Sequence, residues 1–176
     1  MKIASRYAKC LFDLAAEKKQ LDAVAGDAEN ILKSIADSSE LQAFLDSPLL
    51  HKSKKKEILR KLFKGLNEIT LSVVDLMTDK SRENLLAEMA QSFNSIYNKA
   101  NGITLAEVTS AIALDKDTLS GIEQFVKKHT GSKQVVITEK VDSALIGGLT
   151  IMFDGRMYDS SVIGQINKMK KELNLA

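Results

Sequence analysis

The sequence predicts a mainly α protein, with an N-terminal six-helix bundle over residues 1–104 and a small α+β domain over residues 105–176. Three observations carry that prediction. Apolar residues recur at i, i+3 and i+4 through the first hundred positions, the spacing of one face of a helix. After Gly102 the pattern changes to β-branched residues with partial alternation, which is the signal of a strand. The chain holds only 1 Pro, so little interrupts the helical periodicity.

The elements follow in order. Ala4, Tyr7, Ala8, Leu11, Phe12 and Ala15 mark the inner face of a first helix. Leu21, Val24, Ala25, Ala28, Ile31, Leu32 and Ile35 mark a second, and Leu41, Phe44 and Leu45 a short third. The third stops at "SPLL" (Ser47–Leu50), because Pro48 disfavours the helical region for Ser47. A fourth helix turns Ile58, Leu59, Leu62 and Phe63 inward and ends near Gly65, and Leu66–Thr78 forms a fifth. The sixth starts near Ser81 and carries Leu85, Leu86, Met89, Phe93, Ile96 and Tyr97. Gly102 suits a left-handed helix cap. Beyond it the pattern reads strand (Ile103–Leu114), helix (Asp115–Gly131), strand (Lys133–Val141) and a hairpin with Asp154-Gly155 in its turn. A last helix from Ser160 carries Val162, Ile163, Ile166 and Met169 and ends in lysines, which suit the negative end of the helix dipole.

Composition narrows the function classes. The net charge is +2, aromatics are 5% and Trp is absent, so there is no polyelectrolyte or base-stacking signal for nucleic acid. The single Cys10 excludes an internal disulfide and fits a reducing compartment. No run approaches the ~20 apolar residues of a membrane span. Arg6, Lys9 and Asp13 interrupt the N-terminal apolar positions, so the start reads as mature protein rather than a targeting signal.

Candidate chemistry centres on "VDSALIGGLTIMFDGRMYDSSV" (Val141–Val162). Gly147-Gly148 completes neither a dinucleotide fingerprint nor a P-loop, and a strand rather than a helix follows it. The pair is expected to allow a bulge, a positive φ or a close backbone approach. Asp142, Asp154 and Asp159 lack a nearby His or other second functional group for acid–base work. Asp142 is expected to start a turn, Asp154 with Gly155 to form the hairpin turn, and Asp159 or Ser160 to cap the last helix. His51 and His129 fall in different predicted domains and in no ligand spacing. These readings assign no catalytic residue, metal or cofactor.

Two features point to partners. "HKSKKKEILRKLFK" (His51–Lys64) has seven Lys/Arg against Glu57, an RNA or anionic-lipid surface if those charges are free. Its apolar residues keep helical spacing, so a solvated helix face is the preferred reading. The first and fifth helices carry more apolar surface than one inner stripe needs. Ile3, Cys10 and Leu14 flank Tyr7 on the first. On the fifth, Leu71 and Val74 lie off the stripe of Leu66, Ile69, Val73, Leu76 and Met77, toward Thr78. Two such edges suit a groove for a partner's amphipathic helix. The alternative is that the bundle buries both helices more fully.

The residues then resemble a family. "ASRYAKCLFDLA", "SPLL" with the lysine-rich helix after it, "RENLLAEMAQSFNSIYNKANGITLAEVTSA" and "VDSALIGGLTIMFDGRMYDSSVIGQINKMKKEL" occur in the order found in delta subunits of F-type ATP synthases. Those subunits are the bacterial counterparts of the mitochondrial oligomycin-sensitivity-conferring protein. The last segment is the most specific, with Gly-Gly, an alternating strand and Asp-x-Ser. The resemblance implies a six-helix bundle with a mixed C-terminal domain, and a non-catalytic stator role between catalytic head and peripheral stalk. It implies that the bundle receives the N-terminal helix of an alpha subunit and that the C-terminal domain binds the b subunits. Carried over, the alpha groove falls between the first and fifth helices, at Ile3, Tyr7, Cys10, Leu14, Leu71, Val74 and Thr78. The b contacts fall on Val162, Ile166 and Met169. Gly147, Gly148, Asp154, Gly155 and Asp159 are structural. Ser81-Arg82 stands where several relatives carry two arginines, so no paired basic site is carried over. The implied location is the cytoplasmic face of a bacterial membrane, reached only through the complex. The competing readings are a stand-alone helical protein that binds anionic lipid or RNA through residues 51–64, and an enzyme using the C-terminal aspartates.

Overall fold

The computed structural model describes residues 2–47 and 50–172, and it divides into two compact units, Met1–Asn98 and Lys99–Ala176. The fold is mainly helical with one small sheet. Pro48, which the sequence reading used to end the third helix, lies outside the described residues; its neighbour Ser47 is extended at φ −72°, ψ 124°.

The first unit carries α1 (Lys2–Glu17), α2 (Leu21–Asp37), α3 (Ser39–Asp46), α4 (Lys52–Leu62), α5 (Glu68–Asp79) and α6 (Leu86–Asn101), the last extending past the unit's boundary. A 3-10 turn at Glu83–Leu85 precedes α6, so the regular helix starts later than the expected Ser81. One apolar core includes Leu11, Val24, Ile31, Leu41, Leu59, Met77, Leu86 and Phe93. Alanines at 4, 8 and 15 face it from α1, where small side chains let helices approach closely. Ser38 caps α3 by accepting from the Leu41 amide at 3.2 Å. Asn67 caps α5 by accepting from the Ile69 amide at 3.0 Å. Buried Asp27 of α2 fixes the same end of α5, its Oδ2 accepting from the Thr70 hydroxyl at 2.6 Å and the Asn67 amide at 2.8 Å.

Three inward assignments need correction. On α4, Leu59 and Phe63 are buried but Ile58 and Leu62 are exposed, while Lys55 is buried. The charge of Lys55 is met by Glu83, which the local pattern does not reveal. On α5, Leu76 is 44% exposed, whereas Val74 and Thr78 are 1% and 0% exposed. The buried face of α5 is therefore rotated from the expected one. It turns toward two threonines whose hydroxyls are satisfied within the unit, Thr78 donating to the Val74 carbonyl at 2.9 Å.

The second unit contains β1 (Ile103–Ser110), α7 (Lys116–Thr130), β2 (Gln134–Val141), β3 (Leu149–Phe153), β4 (Arg156–Asp159) and α8 (Val162–Glu172). The sheet order is β2-β1-β3-β4. β1 and β2 are parallel, joined through α7, and β1–β3 and β3–β4 are antiparallel. The first strand ends at Ser110, short of the expected Leu114. Asp115 caps α7, and Gly131 ends it at φ 68°, ψ 14°. Ala106, Val108, Val135, Ile151 and Phe153 form a core with Ile122 and Val126 of α7. The β3–β4 turn is Asp154-Gly155 at φ 48° and 71°, the backbone that a two-residue hairpin needs.

Candidate functional site

α1 presents two stripes of the same spacing. The core stripe is Ala4, Ala8, Leu11 and Ala15. One residue earlier along the chain, Ile3, Tyr7, Cys10 and Leu14 repeat it, which rotates the second stripe by ~100°. Ile3, Cys10 and Leu14 are exposed, and Tyr7 is the half-buried member of that second stripe. Arg82 lies over the Tyr7 ring, 6.0 Å from its centroid, and donates to the phenol oxygen at 3.1 Å. That contact holds an aromatic side chain in place at the edge of the strip.

The α5 side of the expected groove is different. Val74 and Thr78 belong to the core and offer no surface, so their assignment as groove residues is withdrawn. Among the α5 residues considered, Leu71 is half-buried and Leu76 is exposed. These two are ~140° apart around the helix, so only one of them can line a groove with α1.

The lysine-rich helix α4 is a seam. Lys52 donates to the Asp79 carbonyl at 2.8 Å, Lys56 pairs with Asp79 at 2.6 Å, and Arg60 pairs with Asp75 at 2.5 Å. Lys55 pairs with Glu83 in the interior, and Lys61 pairs with Glu57 on its own helix. Among the described residues, five of the seven cations thus have partners within the chain. The hydrogen bond from Arg60 to Asp75 holds the guanidinium above its usual range, and that from Lys61 holds the Glu57 carboxyl below its usual range.

In the second unit Gly147, Gly148 and Asp159 of Val141–Val162 serve the root of α8. Asp159 Oδ1 accepts from the Ser161 amide at 2.8 Å and the Ser161 hydroxyl at 2.6 Å. Ser161 Oγ in turn accepts from the Gly164 amide at 3.0 Å, which makes Ser161 the cap in place of the expected Asp159 or Ser160. These bonds, the side-chain one with Ser161 foremost, hold the Asp159 carboxyl below its ordinary range. The Gly147 carbonyl accepts from the Val162 amide at 3.0 Å. Gly148, at φ 76°, passes so close to Ser160 that any Cβ there would collide with the Ser160 carbonyl. Asp142 accepts from the Ala144 amide at 2.9 Å, as an Asx turn. No carboxylate of the stretch needs a ligand to account for its place.

Beyond this root, Val162, Ile166 and Met169 are exposed along one side of α8. Two further apolar surfaces escaped the sequence reading. Leu105, Val136, Met152 and Met157 are exposed on the sheet face opposite α7, where Leu105 pairs with Val136 and Met152 with Met157. Only the strand order, which is non-local, brings those four together. Ile146 is 69% exposed at φ 64°. Among the described residues no group of three or more His, Cys, Asp or Glu could hold a metal ion, and no helix is long and apolar enough to cross a membrane.

The family profile described as ATP synthase delta (OSCP) subunit matches residues 3–173. The chain belongs to that family. An ATP synthase subunit delta from Carboxydothermus hydrogenoformans is 35% identical over 171 residues, covering 97% of this chain and 96% of that one. Another from Christiangramia forsetii is 34% identical over 170 residues, covering 97% and 92%. The fold of this delta-family chain also matches a chain in the Toxoplasma gondii mitochondrial ATP synthase hexamer, with a TM-score of 0.80, 22% identity, and coverage of 100% and 99%.

Proposed function

We propose that this chain is the non-catalytic stator subunit that links the catalytic head of an F-type ATP synthase to its peripheral stalk. The observation that carries the reading is full-length membership of the delta (OSCP) family, over residues 3–173. In this reading the first unit is a six-helix bundle that receives the N-terminal helix of an alpha subunit. The second unit engages the b subunits through Val162, Ile166 and Met169. The complex sits at the cytoplasmic face of a bacterial membrane, supports proton-driven ATP synthesis, and provides the chain's only link to the bilayer. The pairing of α4 cations inside the fold removes the support for an RNA- or lipid-binding helix.

Physical chemistry supports the α1 strip as the alpha-binding surface. A linker under torque needs slow dissociation, which desolvated apolar anchors provide, whereas exposed ion pairs contribute ~1 kcal/mol or less each. Ile3 and Leu14 are large, exposed and in line with Tyr7. Calorimetric titration of the full chain with a peptide of the alpha N-terminus tests this. Ile3→Asp and Leu14→Asp should each weaken binding tenfold or more, ~1.4 kcal/mol. Unchanged affinity in both variants refutes the strip.

A further inference from the structure

We infer that Arg82 is a positioning and specificity residue of the α1 strip: it fixes the Tyr7 ring as an anchor and pairs with a carboxylate on the helix that docks there. The inference rests on the alpha-binding reading of the first unit and specifies the chemistry that the docked helix must carry.

Arg82 is delivered by a rigid turn. α5 ends in a Schellman motif, in which the Arg82 amide donates to the Met77 carbonyl at 2.9 Å and the Ser81 amide to the Thr78 carbonyl at 3.0 Å. The left-handed position of that motif, ordinarily a glycine, is Ser81 at φ 54°. The following residue, Glu83, is buried and bound to Lys55. The backbone of Arg82 is thus held on both sides, and the turn fixes where its side chain starts.

The guanidinium meets Tyr7, 75 residues earlier in the chain. Its Nη1 donates to the phenol oxygen at 3.1 Å, and the group lies 6.0 Å from the ring centroid. Tyr7 is the half-buried member of the stripe that Ile3, Cys10 and Leu14 expose. An unrestrained aromatic side chain loses rotamer freedom when a partner covers it, which weakens binding. Arg82 orders the ring before the partner arrives.

The charge of Arg82 is unanswered within the unit. Buried Lys55 and half-buried Lys56 pair with Glu83 and Asp79. Arg82 is also half-buried, yet among the described residues its side chain bonds only a neutral phenol and no carboxylate pairs with it. Desolvating a cation without an anion is unfavourable, and a docked apolar helix would remove still more of its water. A carboxylate on that helix offsets the cost, because the guanidinium keeps further N–H donors in the planar fork that carboxylates match. A cationic side chain at the same place is repelled, so the pairing selects for register as well as partner.

The test is calorimetric titration of the full chain with a peptide of the alpha N-terminus at low and high salt, with folding followed by thermal melting. Arg82→Met keeps the aliphatic bulk and removes the charge and the donors. It should weaken binding about tenfold at low salt, and the loss should shrink as salt rises. Arg82→Lys keeps the charge without the fork and should recover part of the affinity. Tyr7→Phe keeps the ring and loses the hydroxyl, so it should weaken binding severalfold in the unmodified chain and little further in Arg82→Met. Acidic residues of the peptide, replaced one at a time by their amides, should include one whose loss weakens binding to the unmodified chain and not to Arg82→Met. Melting temperatures should stay close to the original, because the turn is closed by backbone bonds. Unchanged affinity in Arg82→Met at low salt overturns the inference, as does a loss that neither Arg82→Lys relieves nor salt alters. Either result leaves the strip itself to stand on Ile3→Asp and Leu14→Asp. Failure of the unmodified chain to bind the peptide overturns both readings.

Discussion

Gly148→Ala isolates the link between the Gly-Gly motif and the helix it supports. Gly148 has φ 76°, and an added Cβ would lie 3.0 Å from Ser161 Cα and 3.2 Å from the Ser160 carbonyl carbon, with the Ser160 oxygen closer still. That oxygen must retreat by about 1 Å to regain an ordinary carbon-to-atom separation of ~3.5 Å. The displacement falls on a segment tied by two bonds, Ser160 amide to Leu149 carbonyl and Val162 amide to Gly147 carbonyl, each 3.0 Å. Stretched by about 1 Å, both leave hydrogen-bonding range, a loss of ~1 kcal/mol each. The left-handed backbone adds ~1–2 kcal/mol for any residue with a Cβ, so the total reaches ~3–4 kcal/mol. Gly155→Ala is the control, because Gly155 has φ 71° but nothing within 4 Å of its Cβ, leaving only the backbone term. Hydrogen exchange at the Ser160 and Val162 amides should accelerate in Gly148→Ala and not in Gly155→Ala, and the melting temperature should fall further in the first. Equal effects of the two substitutions refute the close-approach argument.

Two further outcomes follow from the polar contacts. Lys55 and Glu83 have side chains only 3% and 9% exposed, and Glu83 Oε2 has no hydrogen-bond partner among the described residues. Lys55→Met or Glu83→Met alone leaves a buried charge and should cost ~3–5 kcal/mol, whereas the double variant should recover to within ~1 kcal/mol of the original or exceed it. Chemical denaturation measures this, and a double variant no better than either single one contradicts the pairing. Asp159 and Asp115 both sit below the ordinary aspartate range, held first by side-chain bonds to Ser161 and Thr118. A depressed native pKa contributes stability above the unfolded value of ~3.9 and loses it as pH falls through the lower native value. The roots of α8 and α7 should therefore loosen only in that acid window. Amide shifts of Ser161 and Thr118 that titrate at the ordinary aspartate value instead would contradict it.

What the sequence made legible was local. Gly102 and Gly131 take the positive φ of helix ends, Asp154-Gly155 makes the hairpin turn, and the apolar spacing of α1 and α8 puts Ile3, Leu14, Ile166 and Met169 on the surface. The failures are non-local. "LNEITLSVVDLMT" is apolar nearly all round, so periodicity admits more than one buried face for α5. The choice among them rests on Asp27, 43 residues from Thr70, which lets a threonine be buried in place of Leu76. Likewise Lys55 reads as a surface lysine until Glu83, 28 residues away, is brought to it. The open sheet face needs a strand order that places β1 between β2 and β3. The strain at Ile146 has no signature at all in composition or spacing.

The distribution of charged and apolar residues bears on the linking role. In a chain that binds polyanions, cations stand free on the surface and apolar residues withdraw. Here α4 inverts that order, with Lys52, Lys55, Lys56 and Arg60 joined to α5 and the Glu83 turn. Meanwhile α8 holds Val162, Ile166 and Met169 in water at i, i+4, i+7 spacing, and α1 of the other compact unit holds Ile3 and Leu14 in water on the stripe that includes half-buried Tyr7. Exposed seams are unfavourable in a free monomer and become favourable only when covered. Two exposed apolar stripes, one on each unit, are what the proposed linking role requires. The Gly-Gly and Asp-x-Ser residues then have a structural part: Gly147, Gly148, Asp159 and Ser161 fix the root of α8 and so its direction within the second unit.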